Sequence, residues 1–168
     1  MSDLRVRPAD VSDLDELVVM AQKARVEQRA FRGGERFVEP ETTDELRARF
    51  QSAISAMSDA PIVRHEVQQM MWVAEFADVL CGYALAQRRD DRQQRSVVTV
   101  TELFTDQDFR AVGAGESLVS AALAWAMAIE ADSIDAYALP GARETKNLFE
   151  RMGMTARLLT VSKELRDN

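Results

Sequence analysis

The stretch Glu102-Leu-Phe-Thr-Asp-Gln-Asp-Phe-Arg110-Ala-Val-Gly113-Ala-Gly115-Glu-Ser-Leu118 decides how the chain is read. The Val- and Thr-rich segment Val97–Thr105 predicts a strand that leads into it. Two glycines, Gly113 and Gly115, then stand where an apolar row opens a helix. Glycine lets the backbone approach a ligand closely, and the unpaired N–H groups of a first helical turn suit an anion. The segment therefore predicts a phosphate-binding strand, loop and helix, the alternative being a tight strand-to-helix turn. Two other nucleotide signatures fit badly. The dinucleotide pattern wants a third glycine where Leu118 stands, and Gly-Lys-Ser/Thr is absent.

Working outward toward the N-terminus, Leu4–Arg7 alternates and stops at Pro8, which predicts a short first strand. Ser12 and Asp15 form a capping-box-like pair before Leu14, Leu17, Val18 and Ala21, predicting a helix from about residue 12 to 30. Arg32-Gly33-Gly34-Glu35 ends it as a loop. Thr42 and Glu45 repeat the cap before Leu46, Phe50, Ala53, Ile54 and Met57, a second amphipathic helix. Met70–Phe76 and Val79–Gln87 read as antiparallel strands joined at Ala77-Asp78. The mixed run Arg88–Arg92 reads as a solvated hairpin turn.

Toward the C-terminus, the almost wholly apolar Leu118–Ile129 predicts a helix buried on more than one side, with Trp125 in the core. Ser133–Leu139 is a strand, Ala142–Met152 a helix stopped by Gly153, and Thr155–Lys163 a last strand. The order β-α-α-β-β-β-α-β-α-β gives a single α/β domain over residues 1–168, a mixed, mostly antiparallel sheet flanked by helices.

Composition bounds the function. At 168 residues, with 46% hydrophobic and 29% charged residues, the chain can bury a core as one domain. A net charge of −7 disfavours nucleic acid and anionic membrane as partners. No apolar run reaches the roughly 18–20 residues of a membrane span, and the first residues lack a secretory layout, so a cytoplasmic protein is expected. One cysteine, Cys81, excludes an internal disulfide and reads as a small buried residue, and one histidine, His65, rules out a histidine-rich metal site. No metal is expected.

Arg110-Ala-Val-Gly113-Ala-Gly115 resembles the Arg/Gln-x-x-Gly-x-Gly/Ala signature of the GNAT N-acetyltransferases. Glu102-Leu103 lies upstream as an acidic-Leu pair does in many members, and Thr145–Met154 is similar to the family's Ala-x-x-Leu-Tyr-Glu-Lys-x-Gly-Phe helix end. The element order extends the resemblance over essentially the whole chain. It implies direct transfer of an acetyl or short acyl group from acetyl-CoA, or another short acyl-CoA, to a primary amine on a small molecule or peptide. It implies that the N–H groups of Val112, Gly113, Ala114 and Gly115 cradle the pyrophosphate, with Arg110, Ala111 and Glu116 flanking them, and that Leu103, Phe104 and Thr105 lie beside the pantetheine. It also suggests a homodimer.

Glu102 is the candidate base or amine-binding carboxylate, since its strand parity with Val98, Val100 and Phe104 places it among apolar neighbours. The alternative is a strand-end carboxylate paired with a surface arginine. Phe149 stands where the family has the Tyr that protonates the thiolate, and Ala142 where it often has Asn. Phe149 is left to pack against the thiol, with Tyr137 or water as substitute acid. The same departures leave open a non-catalytic acyl-CoA-binding or sensor domain. Phe31–Gly34 and Glu39–Glu41 are expected to shape the acceptor's entrance, and Glu35, Glu39 and Glu41 hint at a cationic acceptor.

Overall fold

The computed structural model describes residues 3–59, 68–163 and 165. His65 lies outside the described residues. The chain runs β1 (Leu4–Pro8), a 3-10 turn (Val11–Asp13), α1 (Leu14–Ala30), α2 (Gly34–Phe37), α3 (Thr43–Asp59), β2 (Gln69–Phe76), β3 (Val79–Asp90), β4 (Ser96–Thr105), a second 3-10 turn (Gln107–Val112), α4 (Ala114–Ala128), β5 (Ser133–Ala136) and α5 (Arg143–Arg151). The strands form one sheet in the order β1-β2-β3-β4-β5. The first three pairings are antiparallel and β4–β5 is parallel, so this is the mixed sheet flanked by helices that the pattern predicts.

Each face of the sheet has its own core. On one, Tyr83, Leu85, Met71 and Val73 meet the apolar stripes of α1 and α3, including Leu17, Ala21, Leu46 and Phe50. On the other, Ala84, Ala86, Val98 and Val100 meet α4 through Leu118, Ala122 and Ala126, and Trp72 packs edge-on against Trp125 at 5.9 Å. Successive residues of a strand point to opposite faces, which is why β3 feeds both cores alternately.

Local chemistry explains several boundaries. The box expected at Thr42 is present: Glu45 accepts from the Thr42 N–H at 2.8 Å while the Thr42 hydroxyl accepts from the Glu45 N–H at 3.2 Å. Ahead of α1 the box is shifted onto the 3-10 turn. Asp10 accepts from Ser12 and Asp13 from the Asp10 N–H, so Asp10 and Asp13 do the capping rather than Ser12 and Asp15. The β2–β3 turn falls at Ala77-Asp78, both at positive φ (49° and 63°), which matches the twist of a two-residue hairpin.

Four expectations are corrected. Gly34–Phe37 is a short helix rather than loop. β3 runs through Arg88–Asp90, and the turn that follows is tied by Asp91, which accepts from the N–H groups of Gln93 and Arg95. α4 is buried along one side, with Ser120, Ala124 and Met127 facing out at helical spacing. Residues 155–163 form no strand: Leu158 is 88% exposed, and no sheet edge takes up their backbone groups. Alternating sequence is only half of a strand, since a ladder partner is the other half.

Candidate active site

β3 and β4 part from simple pairing at one point. Leu85 faces Glu102 and Ala86 faces Val100, so Thr101 is an extra residue on β4, a β-bulge. Its hydroxyl donates to the Leu85 carbonyl at 3.2 Å. The bulge reverses the facing of everything after it. Val98 and Val100 point into the α4 core, whereas Phe104 points into the α1/α3 core, as does Leu85, the partner of Glu102. The expected parity of Glu102 with Val98 and Val100 is thus overturned, and only its parity with Phe104 stands.

The parallel ladder ends at the same place. β5 pairs with β4 only from Val97 to Val100, so the β5-facing edge of Thr101–Thr105 carries no strand. Leu103, Phe104 and Thr105 therefore run along an open wedge. At its end the chain turns through Gln107–Val112 into α4, with Gly113 at φ 84° as the helix's N-cap. That backbone conformation favours glycine. The N–H groups of Ala114, Gly115 and Glu116 belong to the first turn and have no intrahelical acceptor. Gly115 allows α4 to sit close to its neighbours: a Cβ there would lie 3.2 Å from Leu148 of α5 and 3.5 Å from the Thr105 hydroxyl.

Arg110 is held by the protein itself. Its guanidinium donates to the Thr105 carbonyl at 3.3 Å, to Glu27 of α1 at 2.5 Å and to Glu144 of α5 at 3.4 Å. It joins α1, the loop and α5 at the mouth of the wedge. Phe149 is buried on α5, beside the Leu148 that touches Gly115, and Ala142 is buried just before that helix. Tyr137 is 59% exposed and packs edge-on against Phe37 at 6.0 Å.

Across β4 from the wedge lies a cavity of about 720 Å³, walled by α1, the α2–α3 connection, α3, β3 and β4. Phe37, Glu39 and Glu41 line it, whereas Phe31–Gly34 do not, Phe31 lying against Gly141 instead. Its wall carries a continuous ion-pair run. Arg25 pairs with Glu41, and Glu41 accepts from Arg49 at 2.8 and 3.2 Å. Arg49 reaches Glu102 Oε1 at 2.6 Å, and the Tyr83 hydroxyl donates to Glu102 Oε2 at 2.8 Å. Arg49 also lies over the Phe50 ring, 4.9 Å from its centre. Glu102 is therefore paired with an arginine, as the bland alternative has it, but inside the cavity.

The electrostatic consequences are direct. Burial pushes the Tyr83 hydroxyl well above the usual tyrosine range, and the Glu102 charge adds to it. The Arg49 hydrogen bond holds Glu41 below the usual carboxylate range against opposing burial. Glu41 is thus neutralised by two guanidinium groups and is no free anion for a cationic acceptor. Arg25, Arg49 and Tyr83 are the site residues that sequence reasoning passes over. Arg49 borders the apolar stripe of α3, and nothing in its spacing tells a cavity-facing arginine from a solvated one.

Cys81 is buried, its thiol donating to the Ala74 carbonyl at 3.4 Å, and burial pushes it up from the usual thiol range. Among the described residues no group of three or more His, Cys, Asp and Glu is placed to hold a metal, and no helix is long and apolar enough to cross a membrane.

A five-stranded mixed sheet whose parallel pair splays beside a glycine-started helix defines the acetyltransferase class of fold. The sequence matches the model of the acetyltransferase (GNAT) family over residues 28–154, and the chain belongs to that family. Solved structures agree on the fold. A tetramutant of the BH1408 protein from Bacillus halodurans superposes with a TM-score of 0.78 at 17% identity, over 96% of this chain and 99% of that one. A predicted acetyltransferase from Clostridium acetobutylicum, solved with acetyl-CoA, gives 0.69 at 15% identity over 96% of each chain. Glucosamine-6-phosphate N-acetyltransferase from Arabidopsis thaliana gives 0.62 at 16% identity over 97% of this chain and 99% of that one. A comparison with curated proteins finds no match.

Proposed function

We propose that this protein is an acyl-CoA-dependent N-acyltransferase that moves an acetyl or short acyl group to a primary amine within a ternary complex. The observation that carries this reading is the coincidence at Val100–Thr101. There the β5 ladder ends and β4 bulges, so a wedge opens along one edge of β4 while Glu102 turns toward the cavity. A donor in the wedge and an acceptor in the cavity would meet at one strand. The similar fold of a protein solved with acetyl-CoA, and of an enzyme named for N-acetyl transfer to an amino sugar phosphate, supports the same partners here.

In this reading the backbone of Leu103, Phe104 and Thr105 pairs with the pantetheine amides, and the N–H groups of Ala114 to Glu116 take the pyrophosphate, with Arg110, Ala111, Val112 and Gly113 leading into them. Phe149 packs near the thiol. The amine nitrogen attacks the thioester carbon, a C–N bond forms and the C–S bond breaks. The nitrogen's proton passes to Glu102 or to water at it, and CoA leaves as a thiolate that takes a proton from solvent. Glu102 meets the amine with one oxygen on Arg49 and the other on Tyr83, so its orientation is fixed before the acceptor arrives. Buried Phe149, which has no proton to give, favours a second reading, donor binding without transfer.

Calorimetric titration with acetyl-CoA tests the donor site. Wild-type protein should bind saturably and Gly113→Trp should not, with thermal melting confirming that the variant is folded. Absence of binding by the wild type sinks the acyltransferase reading. Thiol release with a panel of amines separates transfer from binding alone.

A further inference from the structure

Most charges on the cavity wall are already engaged with one another. Arg25, Glu41, Arg49 and Glu102 form a balanced run of two cations and two carboxylates. Glu45 accepts from the N–H and hydroxyl of Thr42 at the start of α3. Glu45, spent on that cap, has no partner of opposite sign among the described residues, and neither have two other charged residues of the lining. Arg89, exposed near the end of β3, donates to the neutral amide oxygen of Gln87 at 2.9 Å. Glu39, exposed on the α2–α3 connection, makes no hydrogen bond or ion pair among the described residues.

The placement of Arg89 relative to Glu102 sets the length of a ligand. Leu85 is the register partner of Glu102, and Leu85, Gln87 and Arg89 share one face of β3. Four residues of strand, about 14 Å, separate Leu85 from Arg89 along the backbone. The arginine side chain shortens the gap that a ligand must span. A purely cationic acceptor would leave Arg89 uncompensated and meet its repulsion. A purely anionic one would do the same at Glu39.

We propose that the acceptor is a zwitterionic amine of the diamino-acid type. Its reacting amine lies at Glu102, its carboxylate on Arg89 and its second, unreacting ammonium on Glu39. The assignment rests on the acyltransferase reading and names the substrate class for the same cavity. The chemistry is unchanged: the amine at Glu102 forms the amide, the C–S bond of the donor breaks, and the groups on Arg89 and Glu39 take no part in bond making.

Three probes of matched length separate the contributions. L-lysine carries all three groups, 1,5-diaminopentane lacks the carboxylate, and 6-aminohexanoate lacks the second ammonium. Calorimetry on the full chain saturated with CoA should show lysine binding about tenfold more tightly than either of the others, the ratio expected for one charge-assisted contact. Arg89→Gln should bring lysine down to the diamine, and Glu39→Gln should bring it down to the aminohexanoate. Neither variant should change acetyl-CoA affinity. Equal binding of lysine and either analogue overturns the proposal, as does a variant that weakens all three probes alike. Lysine that fails to bind while acetyl-CoA binds overturns the acceptor assignment alone. Loss of acetyl-CoA binding by the wild type would instead overturn the acyltransferase reading and this assignment with it.

Discussion

Arg49 of α3 and Glu102 of β4 meet at 2.6 Å, and this pair fixes the carboxylate that the Thr101 bulge turns into the cavity. The guanidinium is held from behind by Glu41 and from below by the Phe50 ring, so it is a rigid donor rather than a loose surface arginine. Through Glu41 the same residue ties the α2–α3 connection, which lines the cavity, to β4.

Arg49→Gln should therefore act on both activity and stability. It leaves Glu102 and Glu41 short of a counter-charge in a half-buried wall, which should cost about 2–3 kcal/mol in chemical denaturation. Acyl transfer, read by thiol release, should fall at least about tenfold, while acetyl-CoA affinity stays at the wild-type value. Arg49→Lys keeps the charge but cannot fork to two carboxylates, so it should fall between the two.

Acidification should act on several carboxylates whose folded-state values lie below their unfolded ones, Asp13 and Glu41 among them. Burial pushes Asp13 up, but the Arg7 fork at 2.7 and 2.8 Å and the Asp10 N–H outweigh it and hold it low. Glu41 is held low chiefly by Arg49. For such groups the stabilisation is complete above the unfolded value and is lost as pH falls through the folded one. Thermal melting should thus be insensitive to these groups between pH 6 and 8 and should drop below about pH 4.5. Asp13→Asn should lower the melting temperature at pH 7 and flatten the acid slope; an unchanged slope would remove Asp13 from the account.

What the sequence discloses is what local physics decides. Thr42 and Glu45 are three residues apart and find each other whatever the fold does, and Ala77-Asp78 is a turn because the strands beside it match. Gly113 is legible as a helix start for the same reason, since it caps α4 at positive φ. The bulge at Thr101 is not local. It arises from the way β3 and β4 pair, and it reverses a parity argument that is sound for an unbroken strand. Arg49 and Glu102 are 53 positions apart, and only the packing of α3 on the sheet brings them together. Residues 155–163 show the converse, a strand pattern whose pairing partner the local sequence cannot supply.

Gly82 offers a test of how closely β3 must approach β4 at the far end of the wedge. A Cβ at this position would lie 2.6 Å from the Phe104 carbonyl oxygen and 3.3 Å from Leu118. Backbone is in the way, so the strand pair itself has to move. Gly82→Ala should destabilise by about 1–3 kcal/mol. Because Phe104 and Thr105 border the wedge, it should also weaken acetyl-CoA binding in calorimetry at temperatures where the variant remains folded. Wild-type affinity in a destabilised variant would mean that the donor does not read the position of β4.

The Trp72–Trp125 contact separates the structural part of α4 from its functional end. The rings meet edge-on at 5.9 Å and join β2 to the last turn of α4, far along the helix from Gly113. Trp125→Ala should cost about 3–5 kcal/mol through lost burial and the space left behind. A cycle with Trp72→Ala should show about 0.5–1.5 kcal/mol of coupling between the rings, beyond their separate losses. Acetyl-CoA affinity measured below the lowered melting temperature should remain that of the wild type, since the N–H groups at Ala114–Glu116 are set by Gly113 and by the packing of Gly115 on Leu148. A parallel loss of affinity would show instead that the whole helix must stay clamped at its far end for the phosphate loop to keep its shape.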